Sequence, residues 1–164
     1  MRSIPITVVG AVLLAGLALD TSAGRAADSA CKADGKLRAV VELSTPEAQP
    51  AAGMKIVLRY PAASVALPGV GEVATVKARV TDLPSGFMAS LNDQDGSFSV
   101  ALASGTETAK TGKLFSIDFD RCAGSALPTA SDFACEVEEA VQDCGAPAGD
   151  VHCAVKLSSE GDKR

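Results

Sequence analysis

The stretch Gly53–Pro61, GMKIVLRYP, limits what this chain can fold into more than any other. Met54, Ile56, Leu58 and Tyr60 fall on one side, Lys55 and Arg59 on the other. A two-residue period of this kind gives one face of a pleated strand to a core and the other to water. Pro61 ends the strand because proline has no N–H for the sheet ladder.

The same design returns along the chain. Leu37–Leu43 and Val73–Leu83 alternate, the second with Val76, Ala78 and Val80 set against Lys77, Arg79 and Thr81. Leu83-Pro84-Ser85-Gly86 reads as a turn. Phe87–Leu91 and Ser97–Ala103 form a hairpin across Asn92–Gly96, which closes on an Asp-Gly pair. Gly112–Arg121 points Phe115, Ile117 and Phe119 one way and Ser116, Asp118 and Asp120 the other. Asp132–Val137 and Val151–Leu157 complete the set, while Glu136–Val141 could form a helical turn, in a run too short to count as a helix. Short alternating strands with closely spaced turn signals predict an all-β fold, a two-sheet antiparallel β-sandwich. Phe98, Phe115, Phe119, Phe133 and Tyr60 all fall in inward alternation, and Phe87 alone among the aromatic residues stands where it would be exposed.

The amino-terminal end is of another kind. Arg2 precedes an apolar run over Ile4–Leu19, and Ala23 and Ala26 suit a signal peptidase site. The run falls short of the roughly 20 residues a spanning helix needs. The expected organisation is a signal peptide over 1–26, a flexible segment over 27–36, one sandwich over 37–157 and a disordered tail over 158–164. The product would be secreted or periplasmic, with no membrane span in the mature chain.

Export makes disulfides the natural use of Cys31, Cys122, Cys135, Cys144 and Cys153. The odd count leaves one thiol over, assigned to Cys31 because it stands far from the rest. The remaining four admit three pairings. Local closure favours Cys122–Cys135 with Cys144–Cys153, and a Cys135–Cys153 bond across a hairpin stays open.

Charge and chemistry narrow the function classes. The formal charge is −5, and lysine and arginine are scattered singly. Nucleic acid, which needs concentrated positive charge, is therefore not an expected partner. Triad chemistry would have to use His152, the only histidine, which sits on a solvated strand face. Asp118 and Asp120 lie about 7 Å apart on one strand face, a spacing that solvated sheets carry routinely, so no enzyme is expected. Asn92, Asp93 and Asp95 gather oxygen ligands beside Gly96 and are a candidate calcium site, although a hairpin turn accounts for each of them without an ion. Otherwise no cofactor is expected.

The order of these signals resembles the cohesin-like β-sandwiches, which belong with certain carbohydrate-binding modules. Met54–Gly69 is similar to a strand of pattern apolar-x-apolar-x-Tyr-x-Pro followed by a Leu- and Val-containing crossover. Ser90–Leu102 and Gly112–Phe119 resemble that family's later turn and its Gly-x-Leu-Phe-x-Ile-x-Phe strand. The cysteines make it look like a small exported bacterial version. The resemblance implies an immunoglobulin-like jelly-roll sandwich, disulfide-stabilised, acting as a non-catalytic binding or scaffold module. Its partner would be another exported or envelope protein held on a sheet face. The resemblance assigns no contact residues, and alternation offers the outward side chains Lys55, Arg59, Lys77 and Arg79 as candidates if their strands share a sheet. The alternative is a carbohydrate-binding module that holds polysaccharide by hydrogen bonds from a sheet face.

Overall fold

A computed structural model describes residues 31–69 and 74–159. Two antiparallel sheets hold almost all of its regular secondary structure. The first carries β1 (Ala33–Ser44), β3 (Val65–Ala66), β4 (Val80–Thr81), β7 (Gly112–Cys122) and β9 (His152–Ser159), in the order β3-β7-β1-β9 with β4 also on β7. The second is ordered β5-β6-β2-β8, from β2 (Gly53–Arg59), β5 (Met88–Asp93), β6 (Ser97–Ala103) and β8 (Ala134–Val141). The expected all-β two-sheet sandwich is therefore present. Among the described residues no helix is long and apolar enough to cross a membrane. The expected signal peptide lies outside the described residues.

Alternation builds the core as the residues dictate. Leu37, Ala39, Val41 and Leu43 of β1 and Phe115, Ile117 and Phe119 of β7 face Met54, Ile56 and Leu58 of β2 and Phe98, Val100 and Leu102 of β6. Phe98, Phe115, Phe119, Ile56, Leu58 and Ile117 are the largest fully buried side chains. Each such burial stabilises by about 1.5–3 kcal/mol. Tyr60 stacks tilted on Phe119, which meets Phe133 edge to face, with ring centroids 4.9 and 5.8 Å apart. Phe87 is half-buried against the core, short of the exposure its place beside a turn suggests.

The two turns follow their chemistry. Gly86 (φ +80°) closes the Pro84 turn and Gly96 (φ +90°) closes the β5–β6 hairpin, backbone values that cost glycine nothing.

Four expectations need correction. Val73–Leu83 is not a strand: Ala74–Lys77 is a single helical turn, α1, and only Val80 and Thr81 pair with β7. Val76 and Val80 are buried while Ala78 is exposed, so the residues meet the core at a four-residue spacing instead of a two-residue one. The strand expected at 132–137 runs on to Val141, because a bulge inserts Glu138 between the Ile56–Val137 and Lys55–Glu139 pairs. Inward residues then fall at Cys135, Val137 and Ala140, which disguises a strand as a helical turn. Of the segment 27–36, expected to be flexible, the described residues are held: Cys31 is bonded to Cys122 and from Ala33 the chain pairs with β7, while 27–30 lie outside the described residues. At the other end β9 continues through Ser158 and Ser159, which pair with Arg38 and Leu37.

Candidate functional site

Three regions carry chemistry: the outer face of the first sheet, the outer face of the second, and the side of the sandwich where β8 faces β9.

On the first sheet, β1 and β7 place opposite charges directly across from each other. Lys36 pairs with Asp120, and Arg38 meets Asp118 through two bonds of 2.7 and 2.8 Å. Arg79 reaches Asp120 at 3.1 Å, Lys113 reaches Asp82 at 2.6 Å and Lys156 reaches Glu42 at 2.8 Å. Ser116, fully buried beneath them, donates to Asp82 at 3.0 Å. The Arg38 guanidinium holds the Asp118 carboxyl below its usual range, and Lys113 with Ser116 does the same for Asp82. The Asp118 and Asp120 carboxylates are thus both held in ion pairs, and a general acid needs a shift opposite to that of Asp118.

The four basic residues expected to share a binding face do not. Lys55 and Arg59 project from β2 of the second sheet. Lys77 belongs to α1, and Arg79 follows it and binds Asp120 over the first sheet.

The outer face of the second sheet is plainer. Ser97, Ser99, Ala101 and Ala103 of β6 lie beside Lys55, Val57 and Arg59 of β2. Glu136 and Glu139 of β8 lie opposite Val57 and Lys55. The Lys55 ammonium is held by Glu138 at 2.6 Å, which raises its pKa. Arg59, exposed, makes no ion pair among the described residues. Serine hydroxyls and Asn92 give this face scattered hydrogen-bonding groups, and Val57, though it points outward, is covered by its longer neighbours.

At the hairpin tip the candidate calcium ligands part company. Strand alternation sends Asn92 outward and Asp93 inward. Asp93 is buried and accepts a 2.7 Å bond from the Tyr60 hydroxyl. Burial raises the pKa of its carboxyl, with Asp95 adding to the rise and the Tyr60 and Gln94 hydrogen bonds opposing it. Burial also raises the pKa of the Tyr60 phenol. Asp95 remains exposed. Among the described residues no three metal-ligating side chains stand together. The inward Asp93–Tyr60 pair is what the sequence reading missed, although both residues occupy inward positions of their strands.

The cysteines correct the expected pairing. Cys31 bonds Cys122, 91 residues away, and Cys135 bonds Cys153 with Cα atoms 5.7 Å apart. The second is the alternative left open by the sequence. Cys144 is the free and exposed thiol, not Cys31. The Cys135–Cys153 bond clamps the edge strand of one sheet to the edge strand of the other. Beside it opens a groove of about 500 Å³, lined on one wall by Glu136, Val137 and Glu139 and on the other by Asp150, Val151 and His152. His152 is exposed there, as expected for a solvated surface residue.

No protein-family model, curated protein or solved structure matches this chain.

Proposed function

We propose that the chain is an exported, non-catalytic binding or scaffold module of the cohesin-like kind, which docks another protein on the outer face of its second sheet. The observation that carries this is the asymmetry of the two faces. The first sheet satisfies its own charges through cross-strand pairs, so a partner would have to break them. The second offers a flat, small-residue carpet with Arg59 uncommitted at its centre strand. The small side chains of β6 give low relief that costs little to desolvate, and Arg59, at the end of the central strand β2, suits an anchoring contact. Two disulfides fit an oxidising compartment.

The serines and Asn92 on the same face favour the second reading, in which polysaccharide is held by hydrogen bonds. An aromatic platform is not on offer there, since Tyr60 and Phe98 are turned inward. Immobilised protein exposed to envelope and secreted extracts distinguishes the two. Protein docking is expected to retain a specific polypeptide, lost when Ser99→Tyr blocks the face and kept when Arg38→Gln opens an ion pair on the other. Retention of polysaccharide alone would favour the second reading, and retention unaffected by Ser99→Tyr would remove both.

A further inference from the structure

The β8 edge bears on binding independently of the sheet face. The Tyr60 N–H donates to the Gly96 carbonyl at 3.0 Å, which turns the even-numbered residues of β2 toward β6. The odd-numbered Lys55, Val57 and Arg59 therefore bond β8, through Glu139, Glu136 and Ala134. The main-chain N–H and C=O groups of Cys135 and Val137 point the other way, into the groove beside β9. No main-chain or side-chain hydrogen-bonding partner meets them among the described residues. Both residues are half-buried, and these main-chain groups are unpaired within the fold.

The chain itself starts to use this edge and then leaves it. Pro147 forms an antiparallel bridge with Val141, and the Ala148 N–H donates to the Ala140 carbonyl at 2.9 Å. One step further would set the backbone against Val137, but at Gly149 and Asp150 it turns away to begin β9. The ladder stops beside the groove, whose far wall is tied to β8 at the Cys135–Cys153 bond with Cα atoms 5.7 Å apart. The opposite edge of the second sheet is different, because α1 packs against β5.

We infer that the unpaired edge of β8 at Cys135–Val137 is a strand-addition site for an extended segment of another protein, one with lysine or arginine at alternate positions. Main-chain groups would supply the attachment, as in β-augmentation generally. Charge selects the occupant. Glu136, Glu139 and Asp150 line the groove and make no ion pair among the described residues, while Glu138 is already held by Lys55. A second copy pairing β8 to β8 would oppose glutamates to glutamates, which disfavours self-association here.

The test uses the full chain and three synthetic heptapeptides: alternating Lys and Val, alternating Glu and Val, and the Lys peptide N-methylated at every second amide. Calorimetry is expected to detect the Lys peptide and to find the N-methylated and Glu peptides at least tenfold weaker. Amide hydrogen exchange at Cys135 and Val137 is expected to slow at least tenfold in the complex. Glu136→Lys with Glu139→Lys should weaken the Lys peptide at least tenfold, and Ser99→Tyr should leave it unchanged, which separates this edge from the sheet face. Absence of binding by the Lys peptide, equal binding by its N-methylated form, or unchanged exchange at those two amides would overturn the inference.

Discussion

The two sheets start from one rule and finish it differently. Each buries every second side chain, but the first spends its outward positions on cross-strand ion pairs, while the second carries serine and alanine along β6 and a mix of charged and apolar residues on β2 and β8. Their buried polar groups differ as well. In the first sheet Ser116 donates to Asp82, whose pKa Lys113 lowers, while in the second Asp93 is drawn into the core and burial raises the pKa of its carboxyl. Outward alternation by itself does not make a binding face. What matters is whether the outward groups are already committed to one another.

Several measurements would break or sharpen this contrast. The largest effect belongs to the disulfides. In the chain-entropy picture, losing Cys31–Cys122 removes a constraint worth roughly 4.6 kcal/mol over its 91-residue separation. Losing Cys135–Cys153 removes roughly 3 kcal/mol over 18 residues. Denaturant midpoints of Cys31→Ser/Cys122→Ser and Cys135→Ser/Cys153→Ser should fall in that order. A larger loss from the second pair would mean that the clamp between sheets matters more than the length of chain it closes.

Next in size is binding. Arg59→Glu should weaken retention of a protein partner at least tenfold, about 1.4 kcal/mol, whereas Arg38→Gln should change it little. Equal losses would erase the distinction between faces. For stability the ion-paired face should count for little: Arg38→Gln is expected to cost less than about 1 kcal/mol, because both partners remain partly exposed.

The finest test is the pH response, where the sheets should pull in opposite directions. Asp118 and Asp82 have lowered folded pKa values, so their contribution is present above the unfolded value near 3.9 and fades as pH falls through the folded value. Asp93 has a raised folded pKa, so its contribution is full below about 3.9 and fades as pH rises through the folded value. Asp93→Asn should therefore raise the melting temperature at neutral pH relative to wild type and lose that advantage in acid. Asp118→Asn should show a small deficit at neutral pH that disappears in acid. An Asp93→Asn melting curve lower than wild type at neutral pH would show the charged form to be better housed than its burial implies.

Much of the fold was legible because alternation is local. Met54 to Tyr60, Phe98 to Leu102 and Phe115 to Phe119 each declare their inward face within a few residues, and the Asp95-Gly96 turn declares its hairpin. What could not be read depends on distant partners. Lys36 and Asp120 stand 84 positions apart, so nothing in either neighbourhood says that they will neutralise each other. Cys31 looked solitary for the same reason. Val76 and Val80 fit two periods equally well until the core chose one, and the β8 bulge shifted phase at Glu138, hiding a strand inside an apparent helical spacing. The candidate surfaces suffered most: four basic residues on two alternating stretches implied one face, and the second stretch was never a strand across its length.

The odd thiol has a consequence for how the molecule is made. As the chain emerges from its amino-terminal end, Cys31 and Cys122 arrive first and second and are correctly joined by any oxidant that couples thiols in order of appearance. The same rule then misjoins Cys135 to Cys144, since the proper mate, Cys153, comes last. Recovery takes one exchange, in which the Cys153 thiolate attacks the Cys135 sulfur and expels Cys144. Cys144 would then be left as the exposed free thiol of the folded chain.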